Sequence, residues 1–203
     1  MATDIKKIIS NLLSFYDFYN QTIITVGAGG GQLIEYGRVS KKVLAIDFDK
    51  GALQKLKNNL IKSGLDDKFE LIHSDFYLSN LKGDIVLFEF CFHEMEDPEA
   101  ALKHALTMAP NVIILDHWPD SEWAYFGGEE ENIAKSWPTL KLFHLIKVQK
   151  FDTLQFFNDY EEIYQKVKLQ GEISIRRIND FKEKKNFTIP MSYGLALIQN
   201  GRE

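Results

Sequence analysis

Cysteine is nearly absent: Cys91 is the only one in 203 residues. That excludes an internal disulfide and thiolate metal clusters, and it suits a reducing, cytoplasmic setting. Long apolar runs are also missing. No stretch approaches the roughly 20 residues a membrane helix needs, and the N-terminus, with Asp4, Lys6 and Lys7, lacks the apolar core of a signal peptide. Nor is there a basic excess, since 24 Lys and Arg stand against 29 Asp and Glu for a net charge of −5. No broad basic surface invites a phosphate backbone, so neither nucleic acid nor membrane is an expected partner. There is no internal repeat, low-complexity tract or Gly/Ser linker, and a single domain over residues 1–203 is expected.

What the chain does contain is the composition of a globular protein, 45% hydrophobic and 26% charged. Five short apolar runs recur, at Thr22–Val26, Val43–Ile46, Phe69–Ile72, Asp84–Phe88 and Val112–Leu115. Each is continuous rather than alternating, as in strands buried on both faces of a parallel sheet. Amphipathic helices lie between them. After Asp49, the residues Leu53, Leu56, Leu60 and Ile61 share a face, and Gly64 stands at a left-handed cap. Asp97-Pro98 opens another helix, with Leu102, Ala105, Leu106 and Ala109 in its stripe and Pro110 ending it. This rhythm predicts a doubly wound α/β sheet with helices on both faces.

A helix is also expected within residues 1–20, from Ile5, Ile8, Ile9, Leu12, Leu13 and Tyr16. Beyond the fifth run the rhythm breaks, and residues 117–170 read as a helical, aromatic-rich insertion. Its second half is predicted helical from a cap at Asp152, with Leu154, Phe157, Ile163, Tyr164 and Val167 apolar. Two strand-like runs, Glu172–Ile178 and Ser192–Ile198, close the chain and are expected to pair as an antiparallel hairpin.

The most informative segment joins the first run to Gly27, Ala28, Gly29, Gly30 and Gly31, with a helix expected from Gln32. Glycines here permit a sharp turn and let a ligand lie against bare backbone. Twenty residues after Gly27, Asp47 ends the second run, where a carboxylate can accept two hydrogen bonds from a ribose diol. The dinucleotide pattern G-x-G-x-x-G fails, because its third glycine falls on Gln32 or Ile34, and no G-K-[ST] follows. What survives is G-x-G-x-G over Gly27–Gly31.

With these motifs, the chain resembles the class I S-adenosylmethionine-dependent methyltransferases over nearly its whole length. The resemblance implies a seven-stranded, mostly parallel sheet ending in an antiparallel hairpin. It implies S-adenosylmethionine as cofactor and S-adenosylhomocysteine as product. Gly27, Ala28, Gly29 and Gly31 would cradle the methionyl part, and Asp47, with Phe48 beside it, would hold the ribose. "LIHSDFY" resembles the motif that places Asp75 at the adenine amino group and Phe76 against the ring. The family usually carries an acid two residues before the first glycine; here that position is Thr25. Backbone carbonyls or Glu89 would then hold the methionyl amino group, with Tyr16 a further cofactor contact.

Methyl transfer is an in-line displacement, so catalysis is mostly positioning, with a base needed only if the acceptor must lose a proton. Base candidates at the ends of the fourth and fifth runs are His93 and His117. The segment after them suggests an acceptor site from Asp116, Trp118, Trp123 and Tyr125. Aromatics beside acids favour a cationic or aromatic acceptor, so a small amine or hydroxyl compound is expected. His93, Asp116 and His117 match no known metal-ligand spacing, and no metal is expected. The fourth run continues as Glu89-Phe90-Cys91-Phe92, without the Pro-Pro-aromatic signature of enzymes that methylate exocyclic or side-chain amide nitrogens. The alternatives are a cofactor-binding protein without chemistry and an NAD-dependent oxidoreductase, the latter opposed by the glycine spacing.

Overall fold

The computed structural model describes residues 4–201; Met1–Thr3 and Arg202–Glu203, which belong to the expected domain, lie outside the described residues. Seven strands form one sheet, β1 (Thr22–Val26), β2 (Lys42–Asp47), β3 (Phe69–His73), β4 (Ile85–Glu89), β5 (Asn111–His117), β6 (Leu145–Phe157) and β7 (Phe187–Gln199). Their order is β3-β2-β1-β4-β5-β7-β6. The first five pair parallel, and β7 runs antiparallel between β5 and β6.

Burial on both faces explains why the apolar runs are continuous. Ile23, Val43, Ile85 and Ile113 point into one core, and their neighbours Ile24, Leu44, Val86 and Ile114 point into the other. The first core takes Ile8 and Leu12 of α1 (Ile5–Phe15) and Leu53, Leu56 and Leu60 of α2 (Lys50–Ser63). The second takes Ala101, Leu102 and Ala105 of α3 (Pro98–Met108). The caps behave as their residue types demand. Asp49 accepts from the Gly51 N–H at 2.6 Å and Asp97 from the Ala100 N–H at 3.0 Å, and Gly64 closes α2 at φ +62°.

Three segments depart from the sequence expectation. No α-helix begins at Gln32; Ile34–Arg38 forms a short 3-10 turn, which sinks Tyr36 into the core. Residues 145–157 are not helical. They form the edge strand β6, and α6 (Tyr160–Val167) starts only after the Asp159 cap. On β6 the inward positions Thr153, Gln155 and Phe157 alternate, but two of them are polar, which hides a two-residue period. Conversely, Glu172–Arg177 is the helix α7 rather than a strand. Its buried positions, Ser174 and Ile178, are four apart, a helical spacing, and the Ser174 hydroxyl donates to the Gly127 carbonyl at 3.1 Å. The antiparallel hairpin partner of β7 is therefore β6, with Phe151 opposite Tyr193 and Phe157 opposite Phe187. Between β5 and β6 lie α4 (Glu122–Gly127) and α5 (Glu130–Thr139). Among the described residues no helix is long and apolar enough to cross a membrane.

Gly194 on β7 lies under Trp118 and Trp137, and a Cβ there would stand 2.6 and 2.3 Å from their ring atoms. Gly194→Ala is expected to lower unfolding stability by about 1–3 kcal/mol, read by urea denaturation, because neither ring has room to retreat.

Candidate functional site

The sheet order reverses between β1 and β4, and ligands of open parallel sheets bind in the crevice at the carboxyl ends of such strands. A cavity of about 250 Å³ opens there. Gly27–Gly30, Glu89 and Phe90 wall one side, and His117, Trp123, Gln155, Lys166 and Met191 wall the other, with Ile5 and Ile8 of α1 beside them.

Gly27 (φ +70°) and Gly29 (φ +48°) have backbone angles that side-chain-bearing residues rarely adopt. A Cβ on Gly27 would also lie 2.5 Å from the Cys91 sulfur, whereas one on Gly30 would meet nothing within 4 Å. The turn thus packs against β4 at its start and presents bare backbone to open space in its middle. Ala28 is buried beneath it, and Gly31 seats against Leu56 of α2. Asp47 reaches across from β2, one carboxylate oxygen accepting from the Gly29 N–H at 3.2 Å and the other from the Asp49 N–H at 2.9 Å. Phe48 beside it is exposed.

Asp75 accepts from the Tyr77 N–H at 2.8 Å at an exposed turn after β3. Phe76 turns away from the rim. Its ring is buried edge-on against Phe88 and His104, at 5.4 and 4.9 Å between centroids. Tyr16 packs edge-on against Phe18 at 5.4 Å and is no part of the cavity wall, where α1 contributes Ile5 and Ile8 instead.

Glu89 ends β4 in the crevice, and one of its carboxylate oxygens accepts from the Thr25 hydroxyl at 2.5 Å and from the Tyr36 phenol. Burial raises its carboxyl to about 7 against the pull of those two hydrogen bonds. A buried acid that is half ionised near neutrality gains from any cation placed beside it. This donor set fits S-adenosylmethionine, which carries an ammonium and a sulfonium. Glu89 suits the ammonium, the bare turn suits close approach, and Asp47 suits the sugar.

On the other side, Asp116 is fully buried. It accepts from the His93 N–H at 2.8 Å, from His93 Nδ1 at 2.6 Å and from the His117 N–H at 2.7 Å. The expectation that Asp116 binds the acceptor is corrected: three donors converge on it, and it holds the His93 ring and the backbone of His117. Burial opposes charge on His93, but the hydrogen bond and charge of Asp116 outweigh it and lift the imidazole to about 8. Burial lowers His117 to about 4; Asp116 works against that, and the charges of His93 and Lys166 add to it. Glu129 stands between them, its Oε2 3.7 Å from His93 Nε2 and 3.6 Å from His117 Nε2. Burial raises its carboxyl to about 7 despite His93. His93 Nε2, His117 Nδ1 and Glu129 Oε2 are all buried without a hydrogen-bond partner. Among the described residues, no group of three or more His, Cys, Asp or Glu side chains is arranged to hold a metal ion.

Of the aromatics expected to bind the acceptor, only Trp123 lines the cavity. Trp118 packs on Trp137 at 4.7 Å. Tyr125 is exposed, with the Arg177 guanidinium 4.0 Å from its ring centre. Sequence reasoning missed Glu129, Phe90, Gln155, Lys166 and Met191. Phe90 left no signal, for nothing in its type announces φ +51°, a strained angle at the cavity edge. Gln155 was hidden by the misread period of β6.

Comparison with known proteins agrees with the fold. Residues 24–109 match the family described as "Methyltransferase domain". The small-subunit ribosomal RNA methyltransferase A of Mycoplasmopsis synoviae is 35% identical over 80 residues, 39% of this chain and 29% of its own length. The chain thus spans under a third of that relative. Among solved structures, the YcgJ protein of Bacillus subtilis superposes with a TM-score of 0.72 at 9% identity, covering 97% of this chain and 100% of its own. A SAM-dependent methyltransferase from Aquifex aeolicus gives 0.60 at 19% identity, covering 97% and 90%. Magnesium protoporphyrin IX methyltransferase from Synechocystis with bound SAM gives 0.58 at 12%, covering 97% and 78%.

The two histidines should titrate apart. In a proton-NMR titration the His93 ring is expected to change near pH 8 and His117 near pH 4. Glu89, whose folded pKa of about 7 lies above its ordinary 4.5, withdraws stability as pH rises from 4.5 to about 7 and nothing further above that. Without cofactor, Glu89→Gln is therefore expected to be more stable than the parent at pH 8, with the difference vanishing toward pH 4, in melting curves across that range.

Proposed function

We propose that the protein, whose residues 24–109 match the methyltransferase-domain family, uses S-adenosylmethionine to methylate a hydroxyl group of a small molecule. The observation that carries this reading is that one cavity takes one wall from the glycine turn and Glu89 and the other from His117. Cofactor and acceptor subsites are then continuous, and a neutral imidazole faces the place where they meet.

When bound, S-adenosylmethionine supplies a methyl group already activated on a sulfonium, so the protein's task is chiefly alignment. Glu89 ionises against the ammonium, with Thr25 and Tyr36 steadying its charge. Asp47 offers its oxygens to the ribose diol. Phe48 and Asp75 form the exposed rim where the adenine is expected to rest. His117 is unprotonated at neutral pH and receives the acceptor's proton, while Glu129 lies next to its Nε2 as the following station. His93 is held protonated by Asp116 behind Glu129, and its charge favours the carboxylate form of that residue.

A small acceptor is favoured over RNA by the net charge of −5 and by the apolar closure of the cavity with Ile5, Ile8, Trp123 and Met191. A cytoplasmic setting belongs to the same reading. The resemblance to a ribosomal RNA methyltransferase makes RNA the competing substrate that an assay must include.

Calorimetry should show binding of S-adenosylhomocysteine and none of NAD. Methyl transfer from labelled cofactor is expected to small hydroxylated compounds and not to small-subunit ribosomal RNA. Transfer to the RNA would overturn the acceptor class, and binding without turnover on any acceptor would overturn the enzymatic reading. Asp47→Ala should weaken S-adenosylhomocysteine binding by about 1.5–3 kcal/mol, the loss of charged hydrogen bonds. His117→Ala should leave that binding intact and lower kcat by roughly 10²–10⁴-fold.

A further inference from the structure

We propose that Lys166 anchors an acidic group on the acceptor, so that the substrate is a small anion rather than an amine. This rests on the proposed function and specifies its substrate class. Lys166 comes from α6 and lines the cavity on the wall facing the glycine turn, beside Trp123, Gln155 and Met191. Among the described residues of that wall it is the only one with a formal charge at neutral pH, because His117 is held neutral.

Its ammonium is held in place without being neutralised. Nζ lies 5.4 Å from the Trp123 ring centre and 5.5 Å from that of Phe157, and donates to Gln155 Oε1 at 3.4 Å. Gln155 is itself fixed, its Nε2 contacting Met191 Sδ at 3.1 Å. Among the described residues, no carboxylate is paired with Lys166. The cations over Trp118 and Tyr125 each have one: Lys150 lies 2.7 Å from Asp120, and Arg177 lies 2.5 Å from Glu130. Burial alone accounts for the downward shift of the Lys166 amine. Although the Lys166 residue as a whole remains exposed, its ammonium lines the cavity with no carboxylate paired to it among the described residues, which makes it a place for an incoming anion.

The same contacts remove the basis for expecting a cationic acceptor. Trp123 has Lys166 over its ring, Tyr125 has Arg177 at 4.0 Å and Trp118 has Lys150 at 6.0 Å. The faces that would attract a cation are occupied by the protein's own cations, and the nearby acids Asp120 and Glu130 are paired with them. The anion also links binding to chemistry. The Lys166 charge is one of the influences holding His117 low, so an anion that cancels it raises the basicity of His117 when the acceptor is in place.

A carboxylate at this position could also come from the methionyl end of the cofactor, and the test separates the two sources. Binding of benzoate, benzamide and benzylamine is measured by calorimetry on protein saturated with S-adenosylhomocysteine. Benzoate is expected to bind at least about tenfold more tightly than its neutral and cationic counterparts. In Lys166→Met, which keeps the stem over Trp123, that preference should disappear while S-adenosylhomocysteine affinity stays unchanged; Lys166→Arg should retain it. Benzamide or benzylamine binding as well as benzoate would overturn the proposal. So would a Lys166→Met variant that loses cofactor affinity but keeps the benzoate preference, which would assign the ammonium to the cofactor. Failure of the parent protein to bind S-adenosylhomocysteine at all would instead strike at the methyltransferase reading itself.

Discussion

A single buried carboxylate, Asp116, sets the geometry on which the acceptor side depends. With no solvent around it, its charge is tolerable only because three N–H groups converge on its two oxygens. Those donors are the backbone and ring of His93 and the backbone of His117, so one side chain ties the loop after β4 to the end of β5. Taking the His93 Nδ1 proton also fixes the tautomer and leaves Nε2 facing Glu129. Replacing Asp116 with an apolar residue would strand three donors in the interior, and the His93 ring would lose the bond that orients it.

Four titratable groups, Glu89 and His117 in the cavity wall and His93 and Glu129 next to His117, are set apart by how each is desolvated and by what stands beside it. Glu89 and Glu129 are both raised by burial to about 7, while His93 rises to about 8 and His117 falls to about 4. The two histidines, with rings 5.7 Å apart, share the neighbour Asp116 yet move in opposite directions. His93 hydrogen-bonds the carboxylate through its ring, whereas His117 meets it only through the backbone and also feels the charges of His93 and Lys166. Groups pushed apart in this way differ in which of them carries a proton at neutral pH. On the glycine-turn side, Glu89 accepts from the Thr25 hydroxyl, so position 25 supports the buried acid of β4 rather than carrying one itself.

The half of the fold that holds the cofactor was legible because its signals are local. A continuous apolar run, an Asp cap, a Pro in the first helical turn and a Gly at a left-handed cap each report on a few adjacent residues, and β1 through β5 with α2 and α3 follow from them. The acceptor half was not legible in the same way. Glu172–Ile178 carries β-branched residues at alternate positions, yet packs as a helix because Gly127 accepts from Ser174 and Ile178 is buried one turn on. Residues 145–157 present polar Thr153 and Gln155 to the interior, a choice that makes sense only once the opposing wall is known. The motif also gave positions without orientations. Phe76 stands where a ring contact to adenine was expected, but Phe88 and His104 draw it into the core, and Asp116 stands at the acceptor edge but turns inward.

The segment β6, whose structure departs from the sequence expectation, also lines the far wall of the cavity through Gln155, and the sheet topology explains why. A parallel core of βα units supplies the glycine turn and the acid at fixed places whatever the acceptor is. The antiparallel addition of β6 and β7 is free to carry any inward side chains that the acceptor demands. Here that addition, with α6 beyond it, brings Gln155, Lys166 and Met191 to face Glu89 across the cavity. The crevice therefore has an acidic end and a basic end, with the neutral imidazole of His117 between them. A ligand pair with its positive charge at the cofactor end and its negative charge at the acceptor end would align the methyl group with the oxygen by field as well as by shape. Both charges belong to side chains with partners already in place, Glu89 through the hydroxyls of Thr25 and Tyr36 and Lys166 beside the rings of Trp123 and Phe157.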